Sequence, residues 1–282
     1  MTPPTRVAVI TGGAGGMGLA TARIVGREHA IVLCDVRQER LDRASDALAG
    51  LGVAVTAVNC DVTDRSAVNE MFQTATGLGT VVSVIHAAGV SPSMGDAEYV
   101  TRTNAIGTLR VGEAFHAAAP EGAALVNVAS MAAYLIPEEV VPTAAFPLAL
   151  HDEDAFMAAV GAACDAMPEA SRSAFAYAVS KGFVRWYSAS AAERFNGRGQ
   201  RIVSVSPGSV DTEMGRLEER NGAGAIVADF AVPRWGNAEE MAELFAFCAG
   251  DKAGYLTGTD VLVDGGVVAS MRERARVAAQ RA

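Results

Sequence analysis

The stretch RVAVITGGAGGMGLATA, Arg6 to Ala22, places five glycines in the seven residues Gly12 to Gly18, directly after an apolar run. Glycine loses more conformational freedom on folding than any other residue, so a loop this rich in it calls for a reason. Between a first strand and a first helix, such a loop lets backbone N–H groups approach a pyrophosphate at the positive end of the helix dipole, where a Cβ would collide. An ordinary turn would also use glycine, so the reading depends on the residues downstream. Asp35 ends the next apolar run, 17 residues beyond Gly18. A carboxylate there accepts hydrogen bonds from adenosine ribose hydroxyls and repels a 2′-phosphate. The alternative is a helix-capping Asp. Arg37, two residues later, is the countersignal, since it suits a 2′-phosphate.

Working outward, short runs of Val, Ala and Ile alternate with stretches of helical spacing. Val7–Ile10, Ile31–Cys34, Ala54–Asn59, Val81–His86 and Ala124–Ala129 read as strands. They show no polar alternation, as expected of a parallel sheet covered on both faces. Leu19–Glu28, Glu39–Ala49, Arg65–Thr76 and Glu98–Ala119 read as the helices between them. The pattern resumes with helix Tyr177–Phe195, strand Arg201–Ser206, helix Ala238–Ala249 and strand Asp260–Val263. This predicts an α/β fold, a doubly wound parallel sheet of Rossmann type. We read it as one domain over 1–282, with a helical insertion at 131–176 and a C-terminal tail at 267–282.

Composition narrows the partners. The 282 residues are 50% hydrophobic and 20% charged, enough for a large core. A net charge of −9 argues against nucleic acid and against an anionic membrane surface, and favours a small-molecule partner. Cys34, Cys60, Cys164 and Cys248 form no CxxC pair and read as reduced, buried thiols. His29, His116 and His151 lack companions at metal-ligand spacing, so no metal is expected. MTPPTR has no signal-peptide character and no apolar run reaches membrane-spanning length, so a cytoplasmic protein is expected.

Several motifs in a fixed order resemble the short-chain dehydrogenase/reductase family. The loop Thr11 to Gly18 is similar to its TGxxxGxG pattern, and Cys60-Asp61-Val62 to its adenine-contacting segment. His86-Ala87-Ala88-Gly89 resembles NNAG with His in place of the first Asn. Asn104-Ala105-Ile106-Gly107, Val126 to Ser130, Tyr177 to Lys181 (YxxxK), Pro207 to Thr212 (PGxxxT) and Leu262 to Gly266 follow in the family's order. The match covers most of Arg6 to Gly266. It implies an NAD cofactor held by Gly12, Gly16, Met17, Gly18, Asp35, Asp61, Val62, Ala88, Gly89, Tyr177, Lys181, Pro207, Gly208, Val210 and Thr212. It also implies a homo-oligomer, a dimer or tetramer.

The chemistry follows from residue types. Hydride transfer to or from a carbonyl carbon requires a proton to move at the oxygen, and a phenol with pKa near 10 is a poor base at neutral pH. Tyr177 and Lys181 are four apart and share one helix face, so the ammonium is expected to lower the phenol's pKa. Taken alone, such a pair is usually a solvated surface pair; downstream of the glycine loop and Ser130 the functional reading prevails. The resemblance implies that Tyr177 is the general acid/base, that Lys181 tunes it and binds the nicotinamide ribose, and that Ser130 holds the substrate oxygen. It implies that Asn104 supports a water-linked proton route through Lys181 and that Thr212 holds the carboxamide. His86 is read as a neutral, buried residue rather than a catalytic one.

The 46 residues between Ser130 and Tyr177 are a departure from the family pattern. Pro137, Pro142 and Pro147 break the first part, and acids at 152–154 suit a helix start ending near Pro168. Bacterial hydroxysteroid dehydrogenases/carbonyl reductases of the family resemble this chain in carrying an insertion here, which implies a hydrophobic, steroid-like substrate. The insertion is either a lid, with Phe146, Leu148, Leu150, Phe156, Met157 and Val160 walling the substrate pocket, or a packed or interface element. The function read from the sequence is an NAD(H)-dependent secondary-alcohol dehydrogenase or ketone reductase. Its rivals are an NADP(H)-dependent carbonyl reductase, a nucleotide-sensing binding protein of the same fold, and an epimerase or dehydratase, for which little substrate-binding chain remains.

Overall fold

Seven short apolar runs become seven parallel strands in a computed structural model that describes residues 5–221 and 231–281; most of MTPPTR lies outside it. The strands are β1 (Arg6–Thr11), β2 (Ala30–Asp35), β3 (Val55–Asn59), β4 (Thr80–His86), β5 (Ala124–Val128), β6 (Arg201–Pro207) and β7 (Asp260–Val263). They form one sheet in the order β3-β2-β1-β4-β5-β6-β7. Alternation within the strands sends side chains to two separate cores. Val7, Val9 and Val32 face one apolar layer, and Ala8, Ile10, Ile31 and Leu33 the other. The central strands are therefore apolar on both faces, which is why they read as unbroken runs, while the edge strands β3 and β7 are only partly covered.

The helices are α1 (Gly16–Val25), α2 (Gln38–Ala49), α3 (Arg65–Leu78), α4 (Ala97–Thr101), α5 (Gly107–Ala118), α6 (Glu153–Asp165), α7 (Arg172–Ser190), α8 (Ala192–Asn196), α9 (Glu213–Arg220), α10 (Ala238–Ala249) and α11 (Val267–Ala279). Residues of α3, α5 and α7 fill the first layer, and residues of α1, α2 and α10 the second. The strand order reverses between β1 and β4, so the loops at their carboxyl ends part and leave a crevice there. Among the described residues no helix is long and apolar enough to cross a membrane.

Four elements differ from the sequence reading, one being the helix expected over Tyr177–Phe195, which starts at Arg172 as α7 and gives way after Ser190 to the separate α8. The helix expected over Glu98–Ala119 is interrupted by a π-helical turn, Arg102–Ile106, between α4 and α5. The short helix α9 follows Thr212, whose side-chain oxygen accepts the N–H of Gly215 as its N-cap. The stretch read as a C-terminal tail, 267–282, is instead mostly helix α11. Buried Asp264 accepts the N–H groups of Gly266 and Val268 at 2.8 Å each and starts it, while Val267 and Val268 bury themselves beside Met131.

The segment 131–176 is built of short 3-10 turns, α6 and the first turn of α7. Its Phe146 and Phe156 interleave with Phe183 of α7 at ring separations of 5.1–6.5 Å, and Phe146 also meets Trp186 at 5.7 Å. Glu153, at the start of α6, pairs with Arg110 at 2.9 Å and Arg102 at 3.4 Å. Phe146, Phe156 and Val160 are therefore core, Leu148 and Met157 pack against that core, and Leu150 is exposed. Met157 lines a groove between α4 and α6; Phe146, Phe156 and Val160, being core, do not form the wall expected of a lid. The reason is that α7 presents Phe183 and Trp186 as an apolar face that these side chains cover.

Candidate active site

The glycine loop leaves β1 at Thr11 and turns into α1 at Gly16. Gly12 (φ +63°) and Gly16 (φ +50°) adopt left-handed backbone that favours glycine. A Cβ at Gly12 would lie 2.7 Å from the Ala88 nitrogen, and one at Gly18 would strike the Gly12 carbonyl oxygen. The loop thus packs backbone to backbone against the end of β4. Its far wall is Thr212, whose methyl would lie 3.3 Å from a Cβ on Gly16. Met17 follows within the first turn of α1, partly buried.

Register places the rest. Thr11 pairs with His86 across β1 and β4. The Thr11 hydroxyl accepts the Ala88 N–H at 3.2 Å and lies 2.7 Å from His86 Nδ1; His86 Nε2 lies 3.1 Å from the Thr108 hydroxyl, which donates to the Asn104 carbonyl at 2.7 Å. One proton arrangement satisfies every group. Thr11 O–H donates to Nδ1, and Nε2–H donates to Thr108. Both ring nitrogens are then used by a neutral imidazole. Burial, and secondarily the charge of Lys181, lowers the His86 pKa to about 3, in agreement with that arrangement.

Asn104 sits in the π-helical turn, a local widening that often marks functional positions. Its Oδ1 accepts the Val90 N–H at 2.9 Å, and its Nδ2 donates to the Val90 carbonyl at 3.0 Å and to Ser180 Oγ at 3.2 Å. The side chain bolts the loop after β4 to α7. Gly89 lies in that loop, where a Cβ would be 2.9 Å from Asn104 Oδ1 and 3.4 Å from Lys181 Nζ.

On α7, Lys181 is buried and its Nζ donates to the Val128 carbonyl at 2.8 Å. Among the described residues no carboxylate pairs with it, and burial lowers its pKa from 10.5 to about 8. Nζ is 5.8 Å from the centre of the Tyr177 ring. Burial raises the pKa of Tyr177, outweighing the hydrogen bond with Ser130, which lowers it; Glu218 adds a raising charge. This differs from the lowered value expected of a Tyr–Lys pair: in the protein alone, loss of solvent dominates, and the Ser130 hydrogen bond is what opposes it. Ser130 follows β5, buried, its Oγ accepting the Ala132 N–H at 3.2 Å.

The residues read from the sequence as adenosine contacts lie at the ends of β2 and β3. Asp35 accepts the Arg37 N–H at 3.3 Å. Asp61 Oδ1 accepts both the N–H and hydroxyl of Thr63, each at 2.8 Å, and the Val62 side chain is buried against Gly107. After β6, Gly208 lies so close to Asp264 that a Cβ would be 2.7 Å from its Cα, and Val210 is buried in a bridge to Gly236. All the residues singled out in the sequence thus border the carboxyl ends of β1 to β6. The connections through Thr11, Thr108 and Ser180 are additional, and they rest on strand register and helix packing that the sequence does not display. A groove of about 410 Å³ between α4 and α6 is lined by Met157 and Cys164 but by none of the residues read as catalytic or cofactor-binding.

A short chain dehydrogenase model matches residues 6–144, and an enoyl-(acyl carrier protein) reductase model matches 145–268. A short-chain dehydrogenase/reductase of Alternaria brassicicola is 32% identical over 263 residues, covering 91% of this chain and 94% of that protein. The chain belongs to the short-chain dehydrogenase/reductase family. Another relative of this short-chain dehydrogenase/reductase, the cis-4-hydroxycyclohexanecarboxylate dehydrogenase of Sinomonas cyclohexanicum, is 27% identical over 275 residues, 94% of this chain and 97% of its own. A short-chain dehydrogenase/reductase structure from Serratia marcescens has the same fold, with a TM-score of 0.73 at 22% identity over 93% of this chain and 98% of that one. The protein is thus an oxidoreductase of a family that binds a nicotinamide cofactor.

Proposed function

We propose that this enzyme interconverts a secondary alcohol and a ketone with NAD(H), using Tyr177 as general acid/base. The observation that carries the reading is the pairing of a partly buried phenol beside the Ser130 hydroxyl with a buried ammonium that has no carboxylate partner among the described residues. Such an ammonium keeps donors available for ribose hydroxyls, and the glycine-lined cradle where a Cβ would meet Ala88 suits a closely approaching pyrophosphate. A bound nicotinamide supplies hydride exchange at the substrate carbon.

The chain's own residues do the rest. In reduction, Tyr177 O–H releases its proton to the carbonyl oxygen, forming the alcohol; Ser130 O–H donates to the same oxygen and holds it. The positive charge of Lys181 stabilises the phenolate that remains. Asn104 fixes Val90 and Ser180 on either side of Lys181, keeping the proton route in register. In oxidation each proton moves the other way. Asp35, at the β2 terminus, supports NAD(H) over NADP(H) through ribose hydrogen bonds and repulsion of a 2′-phosphate. Thr212, whose oxygen already caps α9, supports the carboxamide end.

The −9 charge and absence of a membrane-spanning helix among the described residues support a cytoplasmic enzyme with a small-molecule partner, and membership of the family supports a homo-oligomer. The steroid-like substrate loses the support of Phe146 and Phe156, which are core. A panel of secondary alcohols and ketones graded from small to steroid-sized, followed through NADH and NADPH absorbance, tests the reading. Turnover with NADH exceeding that with NADPH is expected; no turnover with any member, or a preference for NADPH, opposes it.

A further inference from the structure

The glycine loop contains no basic residue, yet a guanidinium lies on it. Arg40, in the first turn of α2, reaches back so far that a Cβ built on Gly15 would strike its Nη2. That nitrogen is paired with Glu213 Oε2 at 2.9 Å. Glu213 opens α9, immediately after Thr212, so the ion pair joins the adenosine side of the crevice to the nicotinamide side. Arg40 is 23% exposed and Glu213 is 73% exposed. The pair borders a cavity of about 280 Å³ that Arg43 also lines; Arg43 in turn pairs with Glu39 at 3.4 Å. Against the glycine loop, five residues beyond Asp35 in the chain, then, stands an arginine whose charge is already matched by a carboxylate from a distant part of the chain.

We propose that Glu213 is a specificity residue that discriminates against a 2′-phosphate by engaging Arg40. The inference rests on reading the crevice as a dinucleotide site. A guanidinium binds phosphate through two parallel hydrogen bonds and is the strongest side-chain partner a 2′-phosphate can find. While Glu213 occupies it, a phosphate entering beside Asp35 meets a second carboxylate and has to displace that carboxylate to reach Arg40. Rejection is thus built from repulsive groups on two elements, Asp35 after β2 and Glu213 on α9, rather than from the absence of cations. Because Glu213 is mostly solvent-exposed, the effect is moderate and Glu213→Gln leaves the fold intact.

The test measures dissociation constants of NADH, NADPH, 5′-AMP and adenosine 2′,5′-bisphosphate for the wild type, Glu213→Gln and Arg40→Met/Glu213→Gln. Glu213→Gln is expected to tighten NADPH and the bisphosphate about fivefold, the scale of a surface ion pair, and to leave NADH and 5′-AMP within about twofold. Adding Arg40→Met is expected to remove the gain. Unchanged affinity for both phosphate-bearing ligands, equal tightening of all four, or a gain that survives Arg40→Met overturns the role of Glu213. If the wild type prefers NADPH, the NAD(H) reading fails while the ratio of Glu213→Gln to wild type still judges Glu213. Binding of none of the four overturns both.

Discussion

Replacing Lys181 by Met is expected to abolish turnover and yet stabilise the protein without cofactor. Burial lowers the Lys181 pKa from 10.5 to about 8, so at pH 7 the charged folded form carries about 3 kcal/mol of unfavourable desolvation. Met fills nearly the same space without that charge, but leaves the Val128 carbonyl, now bonded at 2.8 Å, without its donor. That loss is worth about 1 kcal/mol, so the net gain is about 2 kcal/mol. For a chain of this size it raises Tm by roughly 3 °C. Linkage supplies a second signature. Between pH 8 and 10.5 the folded wild type has lost the proton that the unfolded chain still holds, so wild-type stability rises with pH through this window relative to Met, and the advantage of Met shrinks. Below pH 8 the advantage is constant. Denaturant melts of both proteins from pH 6.5 to 10.5, without cofactor, measure it. A variant that is less stable than wild type at pH 7, or a difference that does not shrink above pH 8, refutes the claim that Lys181 is held as an unmatched buried cation.

Burial raises the Tyr177 pKa in the protein alone, so ultraviolet difference titration, with Tyr177→Phe as reference, is expected to find it above 10 without cofactor and lower with NAD⁺ bound, when a second positive charge adjoins the phenol; a value below 10 without cofactor contradicts this. Phe156→Ala opens a cavity beside Phe146 and Phe183 and is expected to cost about 3–5 kcal/mol with KM nearly unchanged. A raised KM for large substrates with little loss of stability restores the lid.

The central strands were legible because burial on both faces leaves no polar alternation to confuse them, and the glycine loop because Gly12 and Gly18 answer to steric limits that their own backbone neighbours impose. Tyr177, Lys181, Ser130 and Asn104 were legible through spacing and resemblance. What escaped was decided by packing and backbone geometry that the sequence does not display. Phe146 and Phe156 read equally as pocket wall or core until Phe183 and Trp186 of α7 show which. The helix α11 depends on Asp264, whose carboxylate caps it from a loop tucked under Gly208. The break at Arg102–Ile106 carries no proline to announce it. His86 replaces an amide that the family pattern leads one to expect, and only the register of β1 against β4 reveals that two threonines satisfy it.

The most direct test of the account is a comparison of wild type with Tyr177→Phe in single-turnover reduction of a ketone that the wild type turns over, paired with NADH dissociation constants for both. Tyr177→Phe is expected to lower the rate by about 10²–10⁴-fold, because only proton transfer loses its agent, with NADH affinity within about twofold. A Tyr177→Phe protein that reduces the ketone at a rate near wild type, with NADH bound equally well, contradicts it.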